Sequence, residues 1–218
     1  AQPDALEGAE VALVCLPSLA HEPVAHALAA AGVTCPVVLN PGHTGGALHV
    51  AELFRASGAV PPPLVELSTL TYVARKPRPD SVRITGAAER LHAACLPGGE
   101  AALDLLRSLY PAAVPASDVL ATSLANVNLV LHTPGAILSA AWVEATGGDF
   151  RFYVDAMTPG VARVIEALDL ERRAVARAFG HELPSLVDEM ASIASAGRDH
   201  AESGDARAAI ASGEANRA

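Results

Sequence analysis

His132 follows Asn128 by four residues in the run Asn126-Val127-Asn128-Leu129-Val130-Leu131-His132-Thr133-Pro134. Residues four apart share one face of a helix, so this spacing sets an imidazole beside a carboxamide on an otherwise apolar face. An imidazole titrates near neutral pH and suits proton transfer, while Asn128 can hold a substrate carbonyl or carboxylate. The same pattern also suits a core histidine bonded to a backbone carbonyl.

Two further segments carry chemistry at expected strand ends. The first, Val14-Cys15-Leu16-Pro17-Ser18-Leu19-Ala20-His21, follows an apolar run, and open α/β sheets bind ligands at the carboxyl ends of their strands. Leu16, Pro17, Ser18 and His21 are candidates to meet a cofactor, although an ordinary strand-to-helix turn needs the same residue types. The second, Asn40-Pro41-Gly42-His43-Thr44-Gly45-Gly46, has three glycines that let backbone approach a ligand, with the next helix's amides pointing outward. That arrangement favours an anionic group such as a carboxylate and equally fits a structural glycine turn. It is neither a P-loop, lacking the Lys-Ser/Thr pair, nor a GxGxxG fingerprint.

His21, His26, His43, His49, His92, His181 and His200 show no metal-ligand spacing, so no metal is expected and most are read as surface residues. Glu66, Tyr72 and Arg75 in ELSTLTYVAR are expected on the polar faces of strands. Asp169-Leu170-Glu171-Arg172-Arg173 reads as a solvated helix face with local ion pairs. Cys15, Cys35 and Cys95 are odd in number and lie among apolar residues, which implies buried, reduced thiols in a cytoplasmic protein.

The 218 residues carry a net charge of −9, only 15 basic side chains and 4% aromatics, which argues against nucleic-acid binding. A hydrophobic content of 51% is ample for a core. No apolar run approaches the roughly 20 residues that cross a bilayer, and the opening AQPDALEGAE lacks the basic start of a signal peptide. The absence of an initial Met and an ending in SGEANRA suggest a piece of a longer protein.

The elements that must position these residues are legible in outline. Residues 10–16 form an apolar strand, 20–31 a helix closed by Gly32, and 36–40 a second strand, together one βαβ unit. A helix over 47–57 carries Leu48, Leu53 and Phe54 on one stripe. Residues 64–96 read as three or four antiparallel strands finishing the sheet, and 98–110 as a helix. Around 111–117 Pro and Ala interrupt every period, which places a domain boundary there, with domains at 1–115 and 116–218. Ser117 then caps a long helix over 118–146, followed by helices over 159–180 and 184–196. Residues 198–218 suit a loop, a weak helix or a frayed end. The fold class is therefore α/β followed by all-α.

In their order, VCLPSLAHE, LNPGHTGGALH, ELSTLTYVAR, SLANVNLVLHTPGAILSA, FYVDAMTPGVARVIEALDLERRAVARAFG and GEANRA resemble the octopine/nopaline (opine) dehydrogenase family. That family falls within the larger group related to glycerol-3-phosphate dehydrogenase and ketopantoate reductase. The resemblance implies the C-terminal half of a Rossmann-type dinucleotide-binding domain followed by a helical dehydrogenase domain. It implies an NAD- or NADP-dependent oxidoreductase joining an amino acid to an α-keto acid, with His132 as catalytic proton relay.

On the same grounds Asn128, Thr44 and Gly45 would bind substrate, and Leu16, Pro17, Ser18, His21, Asn40, Pro41 and Gly42 would bind the cofactor's nicotinamide half. The Gly-rich turn that cradles the pyrophosphate has no counterpart here and is expected upstream of Ala1. The family's aspartate partner for the histidine is expected beyond Ala218. The isolated chain is accordingly expected to bind dinucleotide weakly and turn over poorly, and a homodimer of the complete protein is compatible with the family. A related 2-keto or 2-hydroxy acid reductase, and a non-catalytic module on the same scaffold, are the alternatives.

Overall fold

The computed structural model describes residues 6–192, 205–213 and 216. The chain divides into two compact units, Ala1–Thr71 with Arg90–Asn126, and Tyr72–Glu89 with Val127–Ala218. The last crossing between them follows Asn126, not the Pro- and Ala-rich stretch where the sequence suggested a boundary.

In the first unit, β1 (Ala12–Val14) leads through a 3-10 turn at Ser18–Ala20 into α1 (His21–Ala30) and back to β2 (Val37–Leu39). The strands pair in parallel, with Ala12 opposite Val37 and Val14 opposite Leu39. This is the βαβ unit that the alternation of apolar runs predicts. Helix α2 (Gly46–Ala56) then turns its small face inward, burying Ala47, Val50, Ala51 and Phe54. Leu48, expected on the buried stripe, is exposed instead. Closely packed alanines let the helix approach the sheet, and Phe54 fills the remaining space.

Strand β3 (Leu64–Leu67) continues the parallel sheet beside β2. The expectation of an antiparallel finish over 64–96 holds only for β6 (Leu91–Cys95), which runs antiparallel to β3. The intervening β4 (Tyr72–Arg78) and β5 (Ser81–Ala87) form a separate two-stranded sheet. Their residues YVARKPR and SVRITGA are exposed or half-buried throughout, so neither strand has an apolar face to bury in the main sheet.

After α3 (Glu100–Leu109) comes β7 (Ala113–Pro115), lying parallel to β6 at the sheet's edge. This strand lies within the stretch 111–117 where the domain boundary is expected. An edge position tolerates the missing donor of Pro115, which is why Pro did not exclude a strand. The sheet order is β1-β2-β3-β6-β7.

The single helix expected over 118–146 is three: α4 (Val119–Ala125), α5 (Asn128–Leu138) and α6 (Ala140–Thr146). Asp118, not Ser117, caps α4, its carboxylate accepting from the amides of Leu120 and Ala121 at 2.9 Å. Asn126 is extended at φ −65°, ψ 99° and ends α4, closing the first unit.

In the second unit α5 packs on α7 (Pro159–Ala178), where Val130, Leu131, Met157, Val161 and Ile165 share a core with Leu186, Met190 and Ile210. The Thr158 hydroxyl caps α7 at the Val161 amide, with Pro159 at its first position. Of the helix expected at 184–196, the described residues form α8 (Leu186–Ser192), which starts two residues later. In the tail, α9 (Ala206–Ser212) is a packed helix burying Ala206, Ala209 and Ile210, while 193–204 and His200 lie outside the described residues.

The charged segment of α7 overturns its sequence reading. Asp169 and Arg172 are each only 5% exposed. The Arg172 guanidinium donates through Nε to Asp169 Oδ1 at 2.8 Å and through Nη2 to the Pro184 carbonyl at 2.8 Å. Asp169 Oδ2 accepts from the Leu186 amide at 3.0 Å. The i,i+3 spacing makes the pair local, but the packing of 184–186 over it removes the water.

Two other expectations fail. Cys15 is exposed, and Cys35 and Cys95 are half-buried, although all three are free thiols. Of the described histidines read as surface residues, only His26 and His49 are exposed; His21 is buried and His43, His92 and His181 are half-buried. Among the described residues no single helix is long and apolar enough to cross a membrane, and no three His, Cys, Asp or Glu side chains gather as metal ligands.

Candidate active site

In the first unit the two candidate loops follow neighbouring parallel strands, β1 and β2, at their carboxyl ends. Leu16, Pro17 and Ser18 are exposed there, as is Thr44. Asn40, Pro41 and Gly42 are buried. Asn40 Nδ2 donates to the Thr71 hydroxyl at 2.8 Å, and the Gly42 amide donates to the Leu67 carbonyl at 2.9 Å. These three residues shape the second loop from within, while Leu16, Pro17 and Ser18 of the first loop and Thr44 of the second are exposed. His43 and Gly45 both take left-handed backbone, at φ 58° and 77°, a conformation that glycine adopts readily and histidine does not.

Beneath the loop lies Glu66, which the sequence reading placed on an exposed strand face. It is 1% exposed, because α2, α3 and α4 all pack on β3. Its Oε2 accepts from the Ala47 amide at 2.8 Å. Its Oε1 accepts from the hydroxyls of Thr122 and Ser123. Burial pushes its carboxyl above the usual carboxylate range, and these three donors pull the other way.

Ser123 passes the connection on, its hydroxyl accepting from the Gly45 amide at 2.9 Å. Its carbonyl accepts from the Thr44 hydroxyl at 3.3 Å, and Asn126 Nδ2 donates to the same hydroxyl at 3.2 Å. Glu66, Thr122, Ser123 and Asn126 escaped the sequence reading as parts of this loop's support. The available signal was the cluster of small polar residues in ATSLANVN, spaced three and four apart inside an apolar stretch.

Gly42 is tied to this carboxylate by shape. A Cβ on residue 42 would come within 2.6 Å of Glu66 Cβ and Oε2. Gly42→Ala is therefore expected to displace Glu66 from its donors and lower stability by about 1–3 kcal/mol, the usual cost of overpacking. Urea denaturation of the two proteins measures it, and an unchanged midpoint would show that the loop yields freely.

Still in the first unit, His21 and His43 lie with ring centroids 5.9 Å apart. Burial lowers the pKa of both, so both are neutral near pH 7. The Nε2 atom of each is buried, with no hydrogen-bond partner among the described residues.

The second unit holds His132, half-buried on α5. Asn128 opens that helix, and its backbone bonds the imidazole one turn later. Desolvation nevertheless dominates and lowers the His132 pKa below the ordinary imidazole value. Nε2 lies 2.8 Å from the Tyr153 hydroxyl. Phe152 stacks on the ring at 6.2 Å and 18°. The structure thus places Asn128 and His132 together, as their spacing predicted. It adds Phe152 and Tyr153, whose signal was an adjacent aromatic pair in a chain with few aromatics.

Comparison with known proteins bears on these two arrangements. Residues 115–215 match the family described as NAD/NADP octopine/nopaline dehydrogenase, alpha-helical domain. An opine dehydrogenase from Arthrobacter sp. (strain 1C) is 35% identical over 187 residues, which cover 84% of this chain and 52% of that protein. The chain thus spans about half the length of the curated relative it matches.

Among solved structures, apo yersinopine dehydrogenase superposes with a TM-score of 0.69 at 18% identity, covering 83% of this chain and 47% of that one. Octopine dehydrogenase with NADH and L-arginine gives 0.67 at 20% identity, covering 96% and 55%. These likenesses show the fold, a Rossmann-type sheet followed by helices. His132, Tyr153 and the buried Asp169–Arg172 pair all lie inside the segment, residues 115–215, that is similar to the alpha-helical domain of the octopine/nopaline dehydrogenase family.

Proposed function

We propose that the protein of which this chain is part is an opine-type dehydrogenase. It condenses the amino group of an amino acid with an α-keto acid and reduces the resulting imine to a secondary amine. His132 is the group that moves the accompanying proton. The observation that carries this reading is the neutral, aromatic-flanked imidazole of His132 within the matched helical domain. The 35% identical opine dehydrogenase supports the same chemistry.

NADH or NADPH supplies the hydride when bound. The loops after β1 and β2 fit its nicotinamide half. Their Leu16, Pro17, Ser18 and Thr44 are exposed at the carboxyl ends of parallel strands, where open sheets take such ligands. Leu16, Pro17, Ser18, His21, Asn40, Pro41 and Gly42 are assigned to the cofactor, the buried ones by shaping the loop. Thr44, Gly45 and Asn128 are assigned to substrate. The charge of −9 disfavours nucleic acid as a partner, and free thiols suit the cytoplasm.

The test is NADH and NADPH oxidation by the complete protein against pairs of amino acid and keto acid. Absorbance should fall only when both substrates are present. Oxidation with keto acid alone would replace the opine reading with a 2-keto acid reductase. No oxidation with any pair would favour a non-catalytic module.

A further inference from the structure

The Tyr153 hydroxyl occupies the nitrogen through which His132 would act. A backbone bond that favours the charged imidazole, as that from Asn128 does, is one in which a ring N–H donates to a carbonyl. With Nε2 facing Tyr153 at 2.8 Å, the tautomer that carries its proton on Nδ1 satisfies both contacts. The neutral ring therefore presents a lone pair at Nε2, and the phenol donates to it.

The neighbouring residues fix this arrangement. Tyr153 meets the imidazole edge-on at 5.7 Å and 75°, and Phe152 lies nearly parallel to it. Gly135 makes room on α5 for the aromatic segment, because a Cβ there would come within 2.8 Å of both Phe152 and Met157. The plane of the ring and the direction of its lone pair are thus both set by residues 152 and 153.

We propose that Tyr153 is the proton relay between substrate and His132. The inference rests on His132 as the acid/base of the reaction. In the oxidative direction a substrate proton passes to the phenol oxygen while the phenol's own proton passes to Nε2. One O–H bond forms as another breaks, the imidazole becomes an imidazolium, and the phenol ends unchanged. Reduction runs the same transfers backwards.

Tyr153 is no base on its own: burial pushes its hydroxyl above the usual phenol range, and the Arg75 charge opposes that only in part. Among the described residues Arg75, on β4, is the charged group acting on Tyr153, and burial and the Asn128 backbone act on His132. Coupled to the imidazole, the phenol passes protons without standing as a phenolate.

The experiment is nitrogen NMR of the complete protein with labelled histidine, alongside kinetics of Tyr153→Phe. In the unmodified protein Nδ1 of His132 should carry the proton and Nε2 the lone pair. Tyr153→Phe removes a donor to the neutral ring, so the His132 pKa should rise and the acid limb of the oxidative pH profile should move up with it. Turnover should fall at least tenfold, short of the roughly 10²–10⁴-fold of a whole acid–base contribution, with KM within a few-fold.

A proton found on Nε2 in the unmodified protein overturns the relay without need of any variant. So does a Tyr153→Phe protein whose His132 pKa and pH profile are unmoved while His132 remains essential. If His132→Ala keeps its turnover, the acid–base assignment itself falls, a result distinct from failure of the relay alone.

Discussion

His132→Ala in the complete protein is expected to lower turnover by about 10²–10⁴-fold, the range that positioned acid–base groups contribute. The expectation follows from the state of the ring. Burial holds the His132 pKa below its ordinary value, so at neutral pH the imidazole is ready to accept a proton. Oxidation of the secondary amine needs such an acceptor, because the nitrogen and the added water must together lose a proton as the imine is hydrolysed.

The sign of the pH dependence follows. A lowered pKa means that the neutral base survives into mildly acidic solution, so oxidative kcat/KM should decline only below pH 6.5, the ordinary value. Dinucleotide affinity, measured by fluorescence quenching, should be retained in the variant, because the loops assigned to it lie in the other unit. A turnover within a few-fold of the unmodified protein would remove His132 from the mechanism.

Asp169→Ala is expected to destabilise the helical unit by about 3–5 kcal/mol, the cost of breaking a buried ion pair by removing one partner. The mutation removes the carboxylate from the buried Arg172, whose bond to the Pro184 carbonyl stays, and strips the Leu186 amide of its acceptor. The pair also anchors the start of α8 to α7, so its loss should loosen Leu186, Val187 and Met190, which are buried at that junction. Thermal denaturation should show the midpoint falling by on the order of 10 °C in a chain of this length.

Asp155→Ala is the natural control. Asp155 pairs with Arg151 at 2.9 Å, but both side chains reach solvent, so the midpoint should barely move. If the two variants behaved alike, burial would not be what gives the Asp169 pair its weight.

How much of this was legible beforehand differs from one residue to the next. The alternation of apolar run, helix and apolar run was enough to foresee the βαβ unit and the loops at its strand ends. The four-residue spacing of Asn128 and His132 was enough to put them on one helical face. Both are local properties, set by backbone periodicity and chain direction, and the resemblance to opine dehydrogenases then gave them a chemistry.

Burial of charge was not legible, because it depends on what packs from elsewhere in the chain. Glu66 alternates like an exposed strand residue, yet α2, α3 and α4 pack on its strand, and Thr122 and Ser123 arrive from 56 and 57 residues away. Asp169 and Arg172 look like a solvated i,i+3 pair until residues 184–186 cover them. Tyr153 gains its meaning in the same way, since 21 residues separate it from the imidazole it bonds. Backbone periodicity in the sequence marked the βαβ unit and the helical stretch that carries His132, while β7 and the breaks at Asn126 and Ser139 escaped it. Tertiary structure decided which polar groups lose their water and which partners they then must take, because desolvation and hydrogen bonding are settled only when distant segments meet.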